Sequence, residues 1–209
     1  MKSFDTNGDF TQNYKFLIGS VQPRPIAWVS TCNEDGTHNL APFSFFTAIS
    51  AKPMIIAFCP LIRSSDEKKK DTLVNIERTG EFVVNFVTEA NYLKVNESSR
   101  ELAYGEDEFE FCGLGKLKSE LVQPPRVKES PIHFECSKRD ILHYGTGAAG
   151  SGSLITGEVL KVHIDDSLLI EGRINTDQFK PVGRGAGLDW YNSSSRFELP
   201  RLMKTQIQK

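Results

Sequence analysis

The segment Gln22 to Thr47, QPRPIAWVSTCNEDGTHNLAPFSFFT, constrains the fold of this chain more than any other. Ile26 to Thr31 reads as a strand, being apolar and β-branched. Asn33-Glu34-Asp35-Gly36 follows, with the turn chemistry that reverses a chain between antiparallel strands. A short second strand then leads into a loop rich in proline and phenylalanine. That loop sets Asn39, Ser44 and Thr47 beside Pro42, Phe43, Phe45 and Phe46. No histidine–carboxylate pair accompanies them. Such a lining suits a flat heteroaromatic ligand with donors and acceptors on its edges, and it argues against a hydrolase. Any chemistry would then be supplied by the ligand.

Strand signals continue along the chain. Met54 to Cys59 (MIIAFC) and Glu81 to Val87 (EFVVNFV) are apolar runs of strand length, suited to burial on both faces. Ile132 to Lys138 and Leu154 to Ile164 alternate, as strands with one wet face should. Gly157 inside the second predicts a bulge. Leu168 to Ile170 reads as a short further strand. Helical signals are fewer. Asp71 to Thr79 is predicted helical, with Asp71 or Thr72 as cap and Gly80 as stop. Thr88 to Leu102 is predicted helical with Thr88 as cap. Gly113 to Pro131 carries three prolines and reads as an extended loop, and the tail from Arg196 as extended. Many strands with few inserted helices predict a β-barrel with helical excursions. At 209 residues the expectation is a single domain over 1–209, with its core at about 15–199.

Composition removes several classes of function. The net charge of −2 gives no electrostatic case for nucleic acid. No apolar run approaches the ~20 residues of a membrane helix, and the first ten residues lack an apolar signal core. Cys32, Cys59, Cys112 and Cys136 have no C-x-x-C pairing, and the four histidines no H-x-x-x-H spacing. A cytoplasmic location without structural disulfides or a metal is therefore expected.

Several segments offer candidate binding residues. Arg63-Ser64-Ser65-Asp66-Glu67-Lys68-Lys69-Lys70-Asp71-Thr72 leads from a buried strand into a helix. Free amides at a helix N-terminus favour an anion, so Arg63, Lys70 and Thr72 could hold a phosphate. A solvated charged loop is the competing reading. Arg24 between Pro23 and Pro25 is held extended, and could meet a ligand or a neighbouring subunit, or guard a sheet edge. Trp28 is read as core or interface, and Cys59 as a small core residue. Arg184, Trp190 and Tyr191 in the loop Pro181 to Tyr191 could line a pocket or an interface. Gly145-Thr146-Gly147-Ala148-Ala149-Gly150 fits G-x-G-x-x-G in letters, but a strand follows instead of a helix, so a Rossmann site is rejected.

Taken together, these strings resemble the flavin reductase-like, FMN-binding split-barrel family in its flavoredoxin-like branch. The resemblance is carried by RPIAWVST (Arg24 to Thr31), NLAPFSFFTAIS (Asn39 to Ser50), KDTLVNI (Lys70 to Ile76), GEFVVNFV (Gly80 to Val87), ESPIHFEC (Glu129 to Cys136), GEVLKVHI (Gly157 to Ile164) and DWY (Asp189 to Tyr191). It implies a homodimeric split β-barrel that binds FMN near the subunit interface. It implies that Asn39, Ala41, Pro42, Phe43, Ser44, Phe45 and Phe46 meet the isoalloxazine and that Ser30 and Thr31 face the same cavity. Lys70 and Thr72 would hold the phosphate. Trp28 stands where the family often has a small aliphatic residue. The activity implied is NAD(P)H-dependent reduction of FMN, or of an acceptor through bound FMN, with no catalytic acid or base from the protein. The alternative is a non-enzymatic electron carrier of flavoredoxin type.

Overall fold

A computed structural model describes residues 1–200. Helix α1 (Phe10–Ser20) precedes the sheet; Asp9 caps it, accepting from the Thr11 amide at 2.9 Å. β1 (Ala27–Cys32) and β2 (His38–Phe43) form the expected hairpin, in register from Ala27↔Phe43 to Cys32↔His38. Asn33 makes the turn: its Oδ1 accepts from the amides of Asp35 and Thr37 at 3.2 and 2.8 Å. Gly36 there takes φ 89°, a conformation that costs glycine little.

The expected proline–phenylalanine loop is mostly strand. β2 runs through Pro42 to Phe43, only Ser44 and Phe45 turn, and β3 (Phe46–Ala51) begins at once. Pro42 is tolerated because β2 is an edge strand, where a missing N–H breaks no ladder. β4 (Met54–Phe58) returns beside β3.

α2 (Asp71–Thr79) stops at Gly80 as predicted, but its N-cap is Lys70 rather than Asp71 or Thr72. β5 (Glu81–Phe86) follows. The helix predicted over Thr88 to Leu102 shrinks to α3 (Tyr92–Glu97) with Asn91 at the cap position. Thr88 instead donates its amide to Asn91 Oδ1 at 2.8 Å. α4 (Glu108–Cys112) and the two-residue strands β6 (Lys116–Leu117) and β7 (Arg126–Val127) then cross the outside of the sheet. β8 (Ile132–Tyr144) and β9 (Gly152–Ile164) are longer than the sequence suggested, and the glycine-rich segment joins them as a loop. Leu169–Ile170 forms the short late strand, paired with Arg173–Ile174. Residues 196–200 belong to no regular element, and 201–209 lie outside the described residues.

The main sheet has seven strands in the order β2-β1-β5-β8-β9-β4-β3, every pair antiparallel. Its two edges, β2 and β3, are consecutive in sequence. The two-residue turn Ser44–Phe45 carries the chain from one edge to the other, so the sheet curls on itself without hydrogen-bonded closure. This is a split β-barrel, mainly β with inserted helices. Bulges sharpen the curl: Arg139 is the extra residue between the Lys138↔Gly157 and Asp140↔Thr156 pairs. The bulge predicted at Gly157 thus lies on the strand opposite. Gly157 itself leaves room for the Phe82 ring, which a Cβ there would meet at 2.3 Å.

β1 is buried on both faces. Ala27 and Val29 point into a core with Phe43, Ile56, Phe58, Phe82, Val84 and Ile155, closed by Leu73 and Ile76 of α2. Ile26 and Trp28 point the other way, under α3 and α4, against Leu40, Val87, Val95 and Phe109. Trp28 is fully buried and donates Nε1–H to Ser98 Oγ at 2.9 Å. It is core, and it cannot cover a subunit interface.

Candidate functional site

Two cavities meet at the corner where the sheet crosses its gap. The larger, of about 590 Å³, lies between the Pro42–Phe45 corner, the Cys59–Ser64 segment, Gly150 and one side of α1. α1 contributes Phe10, Asn13, Tyr14 and Leu17. The smaller, of about 190 Å³, lies at the start of α2, between Asn39, Ala41, Thr72 and the Ser98–Leu102 loop. Pro42, Phe43, Arg63, Lys70 and Glu101 line both.

The α2 start is open to a ligand. Lys70 makes no side-chain cap, and the first intrahelical donation runs from the Leu73 amide to the Lys70 carbonyl at 2.9 Å. The amides of Asp71 and Thr72 therefore have no partner within the helix, as at any helix N-terminus. A buried network holds this end in place. Asn39 Nδ2 donates to Thr72 Oγ1 at 2.8 Å and to Thr31 Oγ1 at 3.3 Å, while Asn75 Nδ2 donates to Thr31 Oγ1 at 3.0 Å. Lys70 Nζ stands 3.6 Å from Glu101, and Arg63 Nε 3.0 Å from Asp66.

The structure brings most of the sequence-derived residues together. Pro42, Phe43, Ser44, Phe45, Arg63 and Lys70 line the larger cavity; Asn39, Ala41 and Thr72 line the smaller. Six expectations are corrected. Ser30 points to the outer layer and donates to the Pro125 carbonyl at 2.5 Å. Thr31 faces the buried network beneath α2 rather than the cavity. Phe46 packs on the barrel core, its ring 6.3 Å from that of Phe86. Tyr191 pairs with Gly183 and donates to Gln22 Oε1 at 3.3 Å. Arg24 is buried and its donors serve the chain's own backbone: Ile18 and Val21 carbonyls at 2.8 and 2.7 Å, and Gly185 at 2.8 Å, with Ser44 Oγ at 3.3 Å. It ties the end of α1 to the corner, so it positions the cavity without lining it. Burial lowers its pKa from the usual value. Thr47 is exposed on β3 and away from both cavities.

Sequence reasoning missed α1, the Ser98–Leu102 loop and Glu108. For α1 a signal existed: Asp9 before Phe10, and Gly19 at the other end. Glu108, at the start of α4, lines the smaller cavity and accepts from the Leu40 amide at 2.8 Å. Burial pushes its carboxyl up to about 7. Cys59, expected in the core, is half-buried in the larger cavity's wall, and burial raises its pKa.

The sequence pattern of the flavin reductase-like domain matches residues 19–183. Nitrilotriacetate monooxygenase component B from Bacillus cereus superposes with a TM-score of 0.90 at 33% identity, over 95% of this chain and 98% of that one. A 2-nitrobenzoate 2-nitroreductase of Pseudomonas fluorescens gives 0.86 at 27% identity, over 98% of each chain. The flavoredoxin of Desulfovibrio vulgaris (Miyazaki F), at 21% identity and 0.71 over 89% and 94% of the two chains, shares the fold. The chain belongs to the flavin reductase-like family of split-barrel proteins.

Proposed function

We propose that this protein binds one FMN per chain and passes electrons from NAD(P)H, through FMN, to an acceptor. One observation carries the reading: a cavity with aromatic and aliphatic residues along one side shares its Arg63 and Lys70 end with a smaller, charged cavity at an uncapped helix start. A flat ring with a phosphate tail has that same division. The combined space suits a ligand of this size, within the ~300–1,000 Å³ of ordinary ligand pockets. FMN would supply the redox chemistry. The chain's own residues do the rest. Pro42 and Phe45 offer a flat apolar wall, Ser44 and Asn13 offer edge hydrogen bonds, and Lys70, Arg63 and the α2 amides offer an anion site. Alignment of the rings and exclusion of water are what such a transfer needs from a protein. Neither cavity counts a histidine among its lining residues.

The test is titration of the purified protein with FMN and riboflavin, then anaerobic addition of NADH or NADPH. Tight FMN binding with bleaching of the flavin supports an NAD(P)H-dependent enzyme. Equal affinity for riboflavin and FMN would reject the phosphate site. One observation favours the second reading, an electron carrier of flavoredoxin type: Phe10, Asn13, Tyr14 and Leu17 of α1 line the larger cavity, where they would compete with a nicotinamide for the face of a bound ring. Binding without bleaching would select that reading.

A homodimer is part of the proposal. Leu142, Tyr144, Leu160 and Val162 on the β8–β9 arms, with Phe16 and Leu17 on α1, are exposed apolar side chains that support it. Sedimentation of a stable FMN-binding monomer at micromolar concentration would reject it. A reducing, cytoplasmic setting is supported by the four free cysteines. None of the helices described is long and apolar enough to cross a membrane.

A further inference from the structure

The smaller cavity is lined by three cations, Arg63, Lys70 and Arg100, and by three carboxylates, Asp71, Glu101 and Glu108. An anionic ligand therefore meets a wall whose charges cancel when all three acids are ionised. It meets a net positive wall when one of them is protonated. Glu108 is the acid best placed to make that difference. It is 6% exposed, far less than Glu101, whose side chain is 44% exposed and faces Lys70. Its single strong donor from β2 is the Leu40 amide, a neutral group. No cation lies in ion-pair range of it among the described residues.

We propose that Glu108 makes the anionic end of the site proton-linked: the flavin phosphate binds together with uptake of one proton from solvent by the Glu108 carboxylate. Affinity for a phosphorylated flavin then rises as pH falls, and affinity for an unphosphorylated one does not. The inference rests on the FMN reading above and adds its regulation by pH.

The groups around Glu108 agree with this. Beside it, Asp107 adds negative charge, partly answered by Lys116, and His38 Nδ1 of β2 stands 3.4 Å from Asp107. Glu110 lies outward, 3.9 Å from Lys116. From α2 comes Asp71, whose pKa is raised, chiefly by burial, beside Lys70 at the cap. From the loop after α3 come Arg100, lying over the Phe111 ring at 5.4 Å, and Glu101. Arg63 arrives from the loop before α2, already engaged by Asp66. The desolvated carboxyl of Glu108, flanked by two acids, is the one least costly to neutralise when a dianion arrives.

The experiment uses the full chain as wild type, Glu108→Gln and Asp71→Asn. Gln at 108 keeps an acceptor for the Leu40 amide, so the fold is retained while the charge is lost. FMN and riboflavin are titrated by flavin fluorescence from about pH 6 to about pH 8.5, and FMN binding is repeated by calorimetry in buffers of different ionisation heat. The phosphate's own ionisation near pH 6 acts on all variants alike, so the ratio between variants is what is read. Glu108→Gln is expected to match wild type for FMN near pH 6 and to bind on the order of tenfold more tightly near pH 8.5, the effect of one pKa unit of coupling. Riboflavin affinity should not separate the two. Proton uptake on FMN binding should be present in wild type and Asp71→Asn and lost in Glu108→Gln. A pH-independent ratio for FMN, an equal change for riboflavin, or loss of uptake in Asp71→Asn alone would each overturn the proposal while leaving FMN binding intact. Failure of wild type to bind FMN at any pH would overturn the FMN reading and this inference with it.

Discussion

The two cavities lie side by side and share five lining residues, yet they are built on different physics. The larger is shaped by packing. Away from the five shared residues its wall is mainly aromatic and aliphatic, one side of it is a helix without one buried residue, and its corner is held by Arg24 from behind. The smaller is shaped by charge and hydrogen bonds, with a buried polar network beneath it and ionisable groups around it. Apolar walls tolerate changes that preserve volume. A charged site depends on individual groups, because each unpaired or deleted charge is felt singly. Substitutions at the two ends should therefore differ both in size and in which flavin reports them.

The largest effect is expected on stability, at Glu108. An acid whose folded pKa is raised binds more protons folded than unfolded, so stability falls as pH rises. The fall runs from the ordinary glutamate value up to about 7 and is flat above. Thermal or urea unfolding of Glu108→Gln should thus match wild type near pH 4 and exceed it at pH 8, by about 3 kcal/mol for a shift of this size. A gain of equal size at both pH values would show that packing, not ionisation, is responsible.

Lys70→Ala should weaken FMN by about 1.5–3 kcal/mol, the range for hydrogen bonds to charged groups, and leave riboflavin unchanged. Fluorescence titration of both flavins checks it; a loss under roughly 0.3 kcal/mol would mark Lys70 as merely solvated. Asn39→Ala removes two donations that brace the α2 start, to Thr72 and Thr31. Its expected cost is about 1–2 kcal/mol in unfolding free energy, with a smaller loss of FMN affinity. A variant as stable as wild type would mean that the network is not what fixes the helix end.

The ring end should respond more gently. Ser44→Ala is expected to change affinity for FMN and riboflavin equally, by under about 1 kcal/mol, and to move the bound flavin's reduction potential. Unequal effects on the two flavins would blur the division between the cavities. Least of all should come from His143→Gln. His143 bonds Ser153 at 2.9 Å and lines neither cavity. Stopped-flow reduction by NADH or NADPH should change by far less than the ~10²–10⁴-fold of general acid–base catalysis. A thousandfold loss with FMN binding intact would reveal a protein acid or base in the reaction.

Much of this protein was determined by local sequence. Asn33 and Gly36 encode the first hairpin, Gly80 ends α2 in a left-handed conformation, and apolar runs mark the strands. These are signals between residues a few positions apart, where backbone geometry and side chain act together. The Pro42–Phe45 segment was likewise legible as cavity lining, although the sequence suggested a loop where the chain forms strand. Tertiary structure alone decided the rest. Nothing in the sequence around Arg24 shows that the carbonyls of Ile18, Val21 and Gly185 take its donors, the last 161 residues away. Ser30 and Thr31 alternate on one strand, and only the packing of Pro125 on one face and α2 on the other says where each side chain goes. Nothing in the sequence sets Glu108 apart from its acidic neighbours Glu106, Asp107 and Glu110. Folding α4 over the edge of β2 buried it beside a helix start, and that placement, which no spacing in the sequence records, gave it an unusual pKa and a cavity to face.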